Sequence, residues 1–392
     1  MQISRIEIQD SPVTRGRVRL RGEVAYTSNG GGTEEYWFEV PQELASGLST
    51  SGNPWLISLL PLAAALHEPL QVPLPVDAEL VENASQVMRI WQAWYPQLAV
   101  VPLEVTAGGG ERPAASRTAA LFSGGVDSFF TALRPRESAP PAERGEVDDL
   151  ITVWGFDIGL DRPEAFARLG SRHREVAREL GKRYVEVATN LRTTRWGRTP
   201  WGPLAHGCGL AGVALALEGC YGRVLIPATA GYRDLHPWGS HPLTDPLLST
   251  AGTRFVHDGA AHTRIQKTAL LISSPVALRS LRVCWESQTE ENCGRCRKCH
   301  RTMLILELLG ALERCTTFPQ SRVDLRRAAR VYCQQSWDFR EYRDIREFAL
   351  QVGRPDVARA VASAMRRSRR RTWVLDRTRA VRRYLAGLLG KP

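Results

Sequence analysis

The segment SGGVDS, Ser123 to Ser128, constrains the fold of this 392-residue chain more than any other stretch. It lies between an apolar run typical of a strand, residues 119–122, and a run typical of a helix, residues 129–133. Two adjacent glycines permit backbone angles that are closed to other residues, so the chain can turn sharply between the two elements. The pattern predicts a strand, a tight turn and a helix in direct succession.

The same turn predicts a loop that binds phosphate. Glycines turn backbone N–H groups inward at Gly124 and Gly125, and the first amides of the following helix lack partners and carry the positive end of its dipole. Ser123 and Ser128 add hydroxyl donors. Asp127 either caps the helix or helps to hold the magnesium that accompanies a nucleotide triphosphate. The loop is not a Walker A sequence, because no lysine follows the glycines.

Beyond the loop, strand-like and helix-like segments alternate as a doubly wound α/β fold requires. The segments in chain order are 151–156, 172–181, 183–189, 210–219 and 223–228. We therefore expect a doubly wound, mostly parallel sheet in a domain spanning residues 117–312. Residues 1–106, where 17–26 alternates and leads through a turn into 35–40, predict a separate small α+β domain. That domain is expected to position a macromolecular substrate or to form a homodimer, and 107–117 to be a linker.

The formal net charge of +11 is concentrated at the carboxyl end of the chain. Residues 320–392, which we expect to be helical, contain 19 Lys and Arg against 7 Asp and Glu. Two interpretations stay open: a surface that binds tRNA, another polyanion or an acidic protein face, and a solvated arginine-rich helical bundle.

We expect a cytoplasmic protein without a membrane partner. The sequence shows neither a basic-then-apolar leader nor an uncharged apolar run of about 18 residues.

Four of the eight cysteines, Cys284, Cys293, Cys296 and Cys299, form a C-x8-C-x2-C-x2-C pattern. Two-residue spacers allow thiolates to converge on one ion, and four sulfur ligands suit a closed structural zinc site. The alternative is an iron–sulfur cluster, although the further Cys-Pro of ferredoxins is missing. Cys208 and Cys220, in an Ala/Leu/Gly-rich helical run, are predicted to be buried core residues, and Cys315 and Cys333, which have no partner spacing, are predicted to be structural.

Together, the glycine loop and the later cysteine pattern resemble the 7-cyano-7-deazaguanine synthases of the PP-loop, or N-type ATP pyrophosphatase, superfamily. The resemblance covers residues 117–312 and implies a PP-loop (HUP-like) fold, ATP and Mg²⁺ as cofactors, and a structural Zn²⁺. It implies an enzyme that adenylates the carboxylate of 7-carboxy-7-deazaguanine, releases pyrophosphate, and lets ammonia displace AMP; a second ATP then yields the nitrile.

Carried over by position, the resemblance implies ATP binding by the loop and zinc binding by the four cysteines. The loop residues are Ser123, Gly124, Gly125, Val126, Asp127 and Ser128. It also implies that Lys267 contacts a phosphate or the acyl-adenylate, a task that Arg264 shares; the alternative for both is a solvated helix face. The segment ITVWGFDIGLD departs from the family, which carries an aspartate-tyrosine-glycine-glutamine signature there.

The segment from Ala228 to Thr250 concentrates polar and aromatic residues after a strand, and we expect it to bind substrate. The substrate-binding candidates are Tyr232, Asp234, His236, Trp238 and Ser240, and His241 is the candidate base for an incoming amine. Each of them has the alternative of an ordinary packed loop residue.

Three hypotheses for function follow. The first is an ATP-dependent carbon–nitrogen ligase that couples a small heteroaromatic acid, 7-carboxy-7-deazaguanine or a relative, to ammonia or a protein amine. The second is a tRNA-modifying PP-loop enzyme of the thiolation type, with the basic tail holding RNA. The third is a nucleotide-binding scaffold without catalytic activity, against which the intact loop argues.

Overall fold

A computed structural model describes residues 1–28, 30–108, 115–137 and 141–388. Within these residues ten strands form one mixed sheet, in the order β10-β9-β6-β7-β8-β3-β2-β1-β4-β5. The strands are β1 Gln2–Asp10, β2 Arg17–Ala25, β3 Thr33–Pro41, β4 Leu70–Val76, β5 Leu103–Ala107, β6 Arg117–Leu121, β7 Asp149–Trp154, β8 Arg183–Thr189, β9 Tyr221–Pro227 and β10 Arg254–Asp258.

Most neighbouring strands of this sheet run parallel. The antiparallel pairs are β1 with β2, β2 with β3, and β3 with β8. The other six pairs are parallel, among them all those between β6, β7, β8, β9 and β10. The expectation of an α/β fold with a mostly parallel sheet is confirmed at this level.

Helices precede, connect and follow the strands. They are α1 Asn53–Leu66, α2 Ala78–Trp94, α3 Val126–Leu133, α4 Pro163–Glu179, α5 His206–Leu215, α6 Arg264–Leu271, α7 Pro275–Ser280, α8 Arg297–Leu308, α9 Leu325–Ala328, α10 Ser336–Gln351 and α11 Pro355–Leu388. Among the described residues, none of these helices combines the length and the apolar character that crossing a lipid bilayer requires.

The chain divides into two compact units, and the division differs from the three predicted segments. Unit 1 comprises Met1–Thr263 with Gln288–Glu290, and unit 2 comprises Arg264–Ser287 with Glu291–Pro392. Of the predicted linker, residues 109–114 lie outside the described part of the chain.

One sheet and one apolar core join the predicted amino-terminal domain to the strands that follow it. β3 pairs with β8 through Phe38 and Thr189, and the guanidinium of Arg17 contacts carboxylates of both strands, Glu39 at 2.8 Å and Glu186 at 2.9 Å. A strand edge exposes unpaired backbone groups, so the docking of β3 on β8 satisfies both elements. This pairing explains why residues 1–106 do not separate from the rest of unit 1.

Candidate functional site

The SGGVDS segment, hereafter the glycine loop, follows β6 at the point where the strand order reverses. β6 lies between β7 and β9; the chain runs from β6 to β7 and β8 on one side, and later to β9 and β10 on the other. Open α/β sheets bind ligands outside the carboxyl ends of the strands at such a switch point. The long-range order of strands therefore places the glycine loop where a ligand site is expected.

Gly124 has a conformation and surroundings that exclude a side chain. Its φ angle is +73°, in the left-handed region that disfavours other residues. A Cβ atom built there would lie 2.5 Å from Nε2 of His173, which is closer than real Cβ contacts allow. The backbone can thus turn at this residue only because it is glycine.

The helix that follows the glycine loop begins without a side-chain cap. Gly125 is the N-cap residue of α3, and it has no side chain that could accept a capping hydrogen bond. The first N–H groups of α3 and the positive end of its dipole therefore remain directed at the turn. An anion such as a phosphate group would satisfy them.

The remaining loop residues show both exposed and buried side chains. Ser123 is exposed and its hydroxyl accepts a hydrogen bond from the backbone N–H of Gly125 at 3.4 Å. Ser128 is buried and donates to the carbonyl of Gly125 at 3.0 Å, while Val126 is buried in the core. Asp127 lies half-buried in the first turn of α3. Ser123 and Asp127 are therefore the loop side chains within reach of a ligand from solution.

Sequence reasoning missed His173, which supports the glycine loop from α4. Its ring is fully buried, and Nδ1 lies 2.9 Å from the hydroxyl of Thr152, which itself bonds the carbonyl of Phe122 at 3.0 Å. The imidazole also packs edge-on against the ring of Phe122, with centroids 4.8 Å apart. A histidine on the apolar face of an amphipathic helix was the only available signal, and that signal does not reveal which loop it supports.

In the segment after β9, two predicted site residues form part of a buried polar cluster. Ser240 donates to Asp245 at 2.7 Å, and the same carboxylate lies 2.7 Å from Nδ1 of His257. The backbone N–H of His241 also bonds Asp245, at 3.1 Å. Ser240 and His241 are 5% and 6% exposed, so both stabilise the loop from within.

His241 is held in a form that suits packing better than base catalysis. Burial, followed by the neighbouring charge of His257, lowers the pKa of its imidazole and keeps the ring neutral. Nδ1 accepts a hydrogen bond from the backbone of Leu243 at 3.1 Å, so the neutral ring carries its proton on Nε2. The ring also packs against Trp94, with centroids 4.9 Å apart. A base needs an unprotonated nitrogen facing the substrate, which this tautomer does not supply.

The other candidates of this segment are more accessible. Tyr232 is 55% exposed and lines a cavity of about 580 Å³ beside β10. His236 contacts the backbone carbonyl of Asp234 at 3.0 Å, and its ring lies 5.6 Å from that of Trp238. The residues that lie on the segment where ligand recognition was predicted are Tyr232, Asp234, His236 and Trp238. Ser240 and His241 lie beneath it.

Lys267 and Arg264 lie on α6 of unit 2. Arg264 is the first residue of the helix and half-buried, while Lys267, one turn later, is only 2% exposed. The alternative of a solvated helix face therefore does not describe Lys267. A lysine is almost never fully buried unless its charge is compensated, so this position is unusual for the residue type.

The four predicted metal ligands of unit 2 converge on one point. All four sulfur atoms lie within 4.8 Å of one another, with Cys284 and Cys296 3.9 Å apart and Cys293 and Cys299 3.8 Å apart. A tetrahedral ion with Zn–S bonds of about 2.3 Å requires sulfur atoms roughly 3.8 Å from one another. The cysteine cluster could therefore hold a single ion such as zinc.

Backbone N–H groups point at these sulfur atoms, as expected around thiolates. Cys284 accepts a hydrogen bond from Ser287 at 3.2 Å, Cys293 accepts one from Cys296 at 3.2 Å, and Cys296 accepts one from Cys299 at 3.4 Å. Hydrogen bonds from the thiol and the backbone N–H of Cys299, together with those from the thiols of Cys293 and Cys284, lower the pKa of Cys296 to about 5. Burial raises the pKa of Cys293, and the hydrogen bond to Cys296 raises the pKa of Cys299, so metal binding would displace the protons of these two thiols.

Two neighbouring residues give the cluster its shape. Gly294 has a φ angle of +62°, which turns the chain between Cys293 and Cys296. The side chain of Asn292 accepts hydrogen bonds from the backbone of Val283 at 2.8 Å and of Cys284 at 3.2 Å. Asn292 thereby connects the backbone of Cys284 to the segment that carries Cys293, although eight residues separate the two cysteines.

Three of the remaining cysteines, Cys208, Cys315 and Cys333, are buried as predicted, whereas Cys220 is half-buried. None of the four belongs to the cluster. Burial raises the pKa of the Cys315 and Cys333 thiols to about 11.

Comparisons of the chain with protein-family models, with curated proteins and with solved structures returned no match. The glycine loop and the cysteine cluster are therefore the features of the chain that indicate its function.

Proposed function

We propose that the protein is an ATP-dependent, AMP-forming carbon–nitrogen ligase. It adenylates the carboxylate of a heteroaromatic acid, 7-carboxy-7-deazaguanine or a relative, and a nitrogen nucleophile then displaces AMP. The observation that carries the proposal is the glycine loop at the switch point of the parallel sheet, followed by a helix without a side-chain cap.

The proposed chemistry needs a group that stabilises the departing pyrophosphate. A carboxylate oxygen attacks the α-phosphorus of ATP, the bond to the β-phosphate oxygen breaks, and pyrophosphate leaves with its negative charge. The amides of Gly124 and of the first turn of α3 are the donors proposed for such an anion. Asp127 would hold Mg²⁺, and the ion would supply positive charge that stabilises the departing pyrophosphate.

The second step needs no further nucleotide. Ammonia or a protein amine attacks the carbonyl carbon of the acyl-adenylate, AMP leaves with the bonding electrons, and an amide forms after loss of a proton. The resemblance assigns Lys267 and Arg264 to this intermediate. The cysteine cluster is proposed to hold a structural zinc, because four sulfur ligands leave no open position for substrate.

Thiolation of tRNA is supported less well. Sulfur transfer needs a reactive thiol, but outside the cluster Cys208, Cys315 and Cys333 are buried, and burial raises the pKa of the half-buried Cys220.

Pyrophosphate release from ATP and Mg²⁺ tests the proposal. The acid is 7-carboxy-7-deazaguanine, with and without ammonia, and mass spectrometry follows the product. We expect pyrophosphate, AMP and a new amide or nitrile; an adenylate that accumulates in both conditions would instead identify a macromolecular amine as the nucleophile. Release of inorganic phosphate in place of pyrophosphate would contradict cleavage between the α and β phosphates.

Two matched variants connect the turnover to the glycine loop. Asp127→Asn is expected to lower turnover by at least about 100-fold, since it removes a charge proposed to hold the metal. Asp161→Asn removes a carboxylate that is 78% exposed, and its turnover should equal that of the wild type. Equal turnover of the wild type, Asp127→Asn and Asp161→Asn would contradict the assignment of the glycine loop as the ATP site.

A further inference from the structure

Helix α11 of unit 2 contains a long segment of uncompensated positive charge. Between Asp356 and Asp376 the sequence has six arginines and no Asp or Glu. Asp356, near the start of the helix, forms an ion pair with Arg354 at 2.9 Å. The six arginines that follow have no acidic residue within their own segment. The segment is therefore a concentrated cationic surface.

The packed side of α11 fixes which of its residues face outward. Val361, Ala364 and Ser368 are buried, and Ser368 accepts a hydrogen bond from the backbone of Cys333 at 2.9 Å. The hydroxyls of Tyr332 and Thr372 lie 3.2 Å apart and add a second anchor. These contacts set the rotation of the helix about its axis.

Opposite this packed side lies a stripe that we name the arginine face: Arg359, Arg366, Arg370 and Trp373. A helix advances 100° per residue, so spacings of 7, 4 and 3 residues keep these side chains within one narrow sector. All four are exposed, Trp373 to 57%. At 1.5 Å per residue the stripe spans roughly 21 Å.

The three arginines of this face remain available for an external anion. Among the described residues no carboxylate forms an ion pair with Arg359, Arg366 or Arg370, in contrast to Arg354. Arg367 and Arg369, on the flanks of the stripe, are also exposed, whereas the guanidinium of Arg371 packs over the ring of Tyr332, 4.4 Å from its centroid. A partner that carries a row of negative charges would complement this arrangement.

We propose that the arginine face binds a single-stranded nucleic acid. Phosphates of the backbone would pair with the arginines, and an unstacked base would lie against the indole of Trp373. The exposed tryptophan within the cationic stripe favours this partner over an acidic protein, because base stacking on an aromatic ring strengthens single-strand binding. Arginine also pairs with phosphate in bidentate geometry and stacks on base planes. The inference does not depend on the proposed ligase activity.

Fluorescence anisotropy with the full chain and a labelled oligonucleotide of about 20 nucleotides tests the proposal at about 50 mM salt. The double variant Arg366→Gln/Arg370→Gln is expected to bind at least about tenfold more weakly, and its salt slope should fall by roughly 1.4, since each single-strand phosphate contact contributes about 0.7. Circular dichroism checks that its helix content is unchanged.

The matched control is Arg15→Gln/Arg89→Gln, which removes the same charge from exposed positions of unit 1. This protein should bind as the wild type does. An equal loss of affinity in both double variants would show a general charge effect and overturn the proposal, as would absence of binding by the wild type.

A separate variant tests the stacking. Trp373→Ala should weaken binding of the single strand about fivefold or more while leaving duplex binding unchanged. Single-stranded RNA and DNA arms identify which sugar is preferred, and either supports the proposal. Poly-aspartate is added as a competitor at the same charge concentration as the oligonucleotide. If the two compete equally well, the result would indicate an acidic protein partner and overturn the proposal. ATP is absent throughout, so the result is separate from that of the ligase assay.

Discussion

Gly124 combines two separate constraints on a single residue. Its φ of +73° costs a non-glycine residue about 1–2 kcal/mol, and the contact with His173 adds a steric cost that depends on packing. Gly181 has a comparable φ of +64° but nothing within 4 Å of its Cβ position. A substitution at Gly181 therefore measures the cost of the backbone conformation alone, whereas one at Gly124 adds the cost of the contact with His173.

We expect Gly181→Ala to lower the free energy of unfolding by about 1 kcal/mol and Gly124→Ala to lower it by more, because only the second clashes with an imidazole. Urea unfolding followed by circular dichroism measures both.

A double-variant cycle with His173→Ala identifies the source of the difference. If the His173 ring causes the added cost, Gly124→Ala should be less destabilising once the ring is removed. Equal effects of the two glycine variants would contradict the importance of the contact.

At the scale of elements, one carboxylate joins the first residues of four parallel strands. Asp149 begins β7 and is fully buried; it accepts hydrogen bonds from Arg117 of β6, from Arg183 of β8 at 2.5 Å and from Tyr221 of β9 at 2.8 Å. Burial alone would raise the pKa of this carboxyl, but the hydrogen bonds from Arg117, Arg183 and Tyr221 outweigh it and lower the pKa. The cluster stabilises the amino edge of the sheet, opposite the edge that carries the glycine loop.

Asp149→Asn should lower the free energy of unfolding by about 2 kcal/mol at neutral pH. Loss of one partner of a buried ion pair typically costs about 3–5 kcal/mol, and the half-exposed arginines reduce that figure here. Glu146→Gln, at a carboxylate that is 81% exposed, is the matched control and should change little.

We also expect the stability difference between the wild type and Asp149→Asn to depend on pH. Since the folded-state pKa of Asp149 is below its unfolded value of about 3.9, the stabilisation is complete above that value and decreases as pH falls through the folded-state pKa. The difference between wild type and Asp149→Asn should therefore shrink below about pH 4. A difference that stays constant down to pH 2 would contradict the ionic role of the carboxylate.

At the scale of the whole molecule, the two candidate sites belong to different compact units. The glycine loop lies in unit 1, while the cysteine cluster lies in unit 2, where Cys296 caps the amino end of α8. Metal binding by such clusters contributes directly to folding, because the ligands do not converge in the unfolded chain. The integrity of unit 2 is therefore expected to depend on its metal.

Purified protein should contain about one zinc per chain by mass spectrometry of metals. Cys296→Ser should lose the ion, and protease cleavage within residues 264–320 should increase, since the ends of α8 and the preceding turn lose their common anchor. Cys315→Ser replaces a buried cysteine outside the cluster and should keep the ion. Iron with visible absorption near about 400 nm would contradict a zinc site.

The sequence by itself determined the features that local backbone chemistry controls. The glycine loop after a strand, the helix that follows this loop, the β2–β3 hairpin and the convergence of four cysteines depend on residues close in the chain, or on ligand chemistry that leaves few alternatives. Each was predicted from spacing and residue type, and each is present in the described structure.

Only the tertiary structure decided the pairings between distant segments. The contact of His173 with Gly124, the docking of β3 on β8 and the burial of Ser240 and His241 around Asp245 join residues that no local pattern relates. A polar residue of a given type can bind a ligand at the surface or stabilise the interior, and the sequence pattern around it is the same in both cases. Burial and long-range hydrogen bonding distinguish the two, and both arise only when the whole chain has packed.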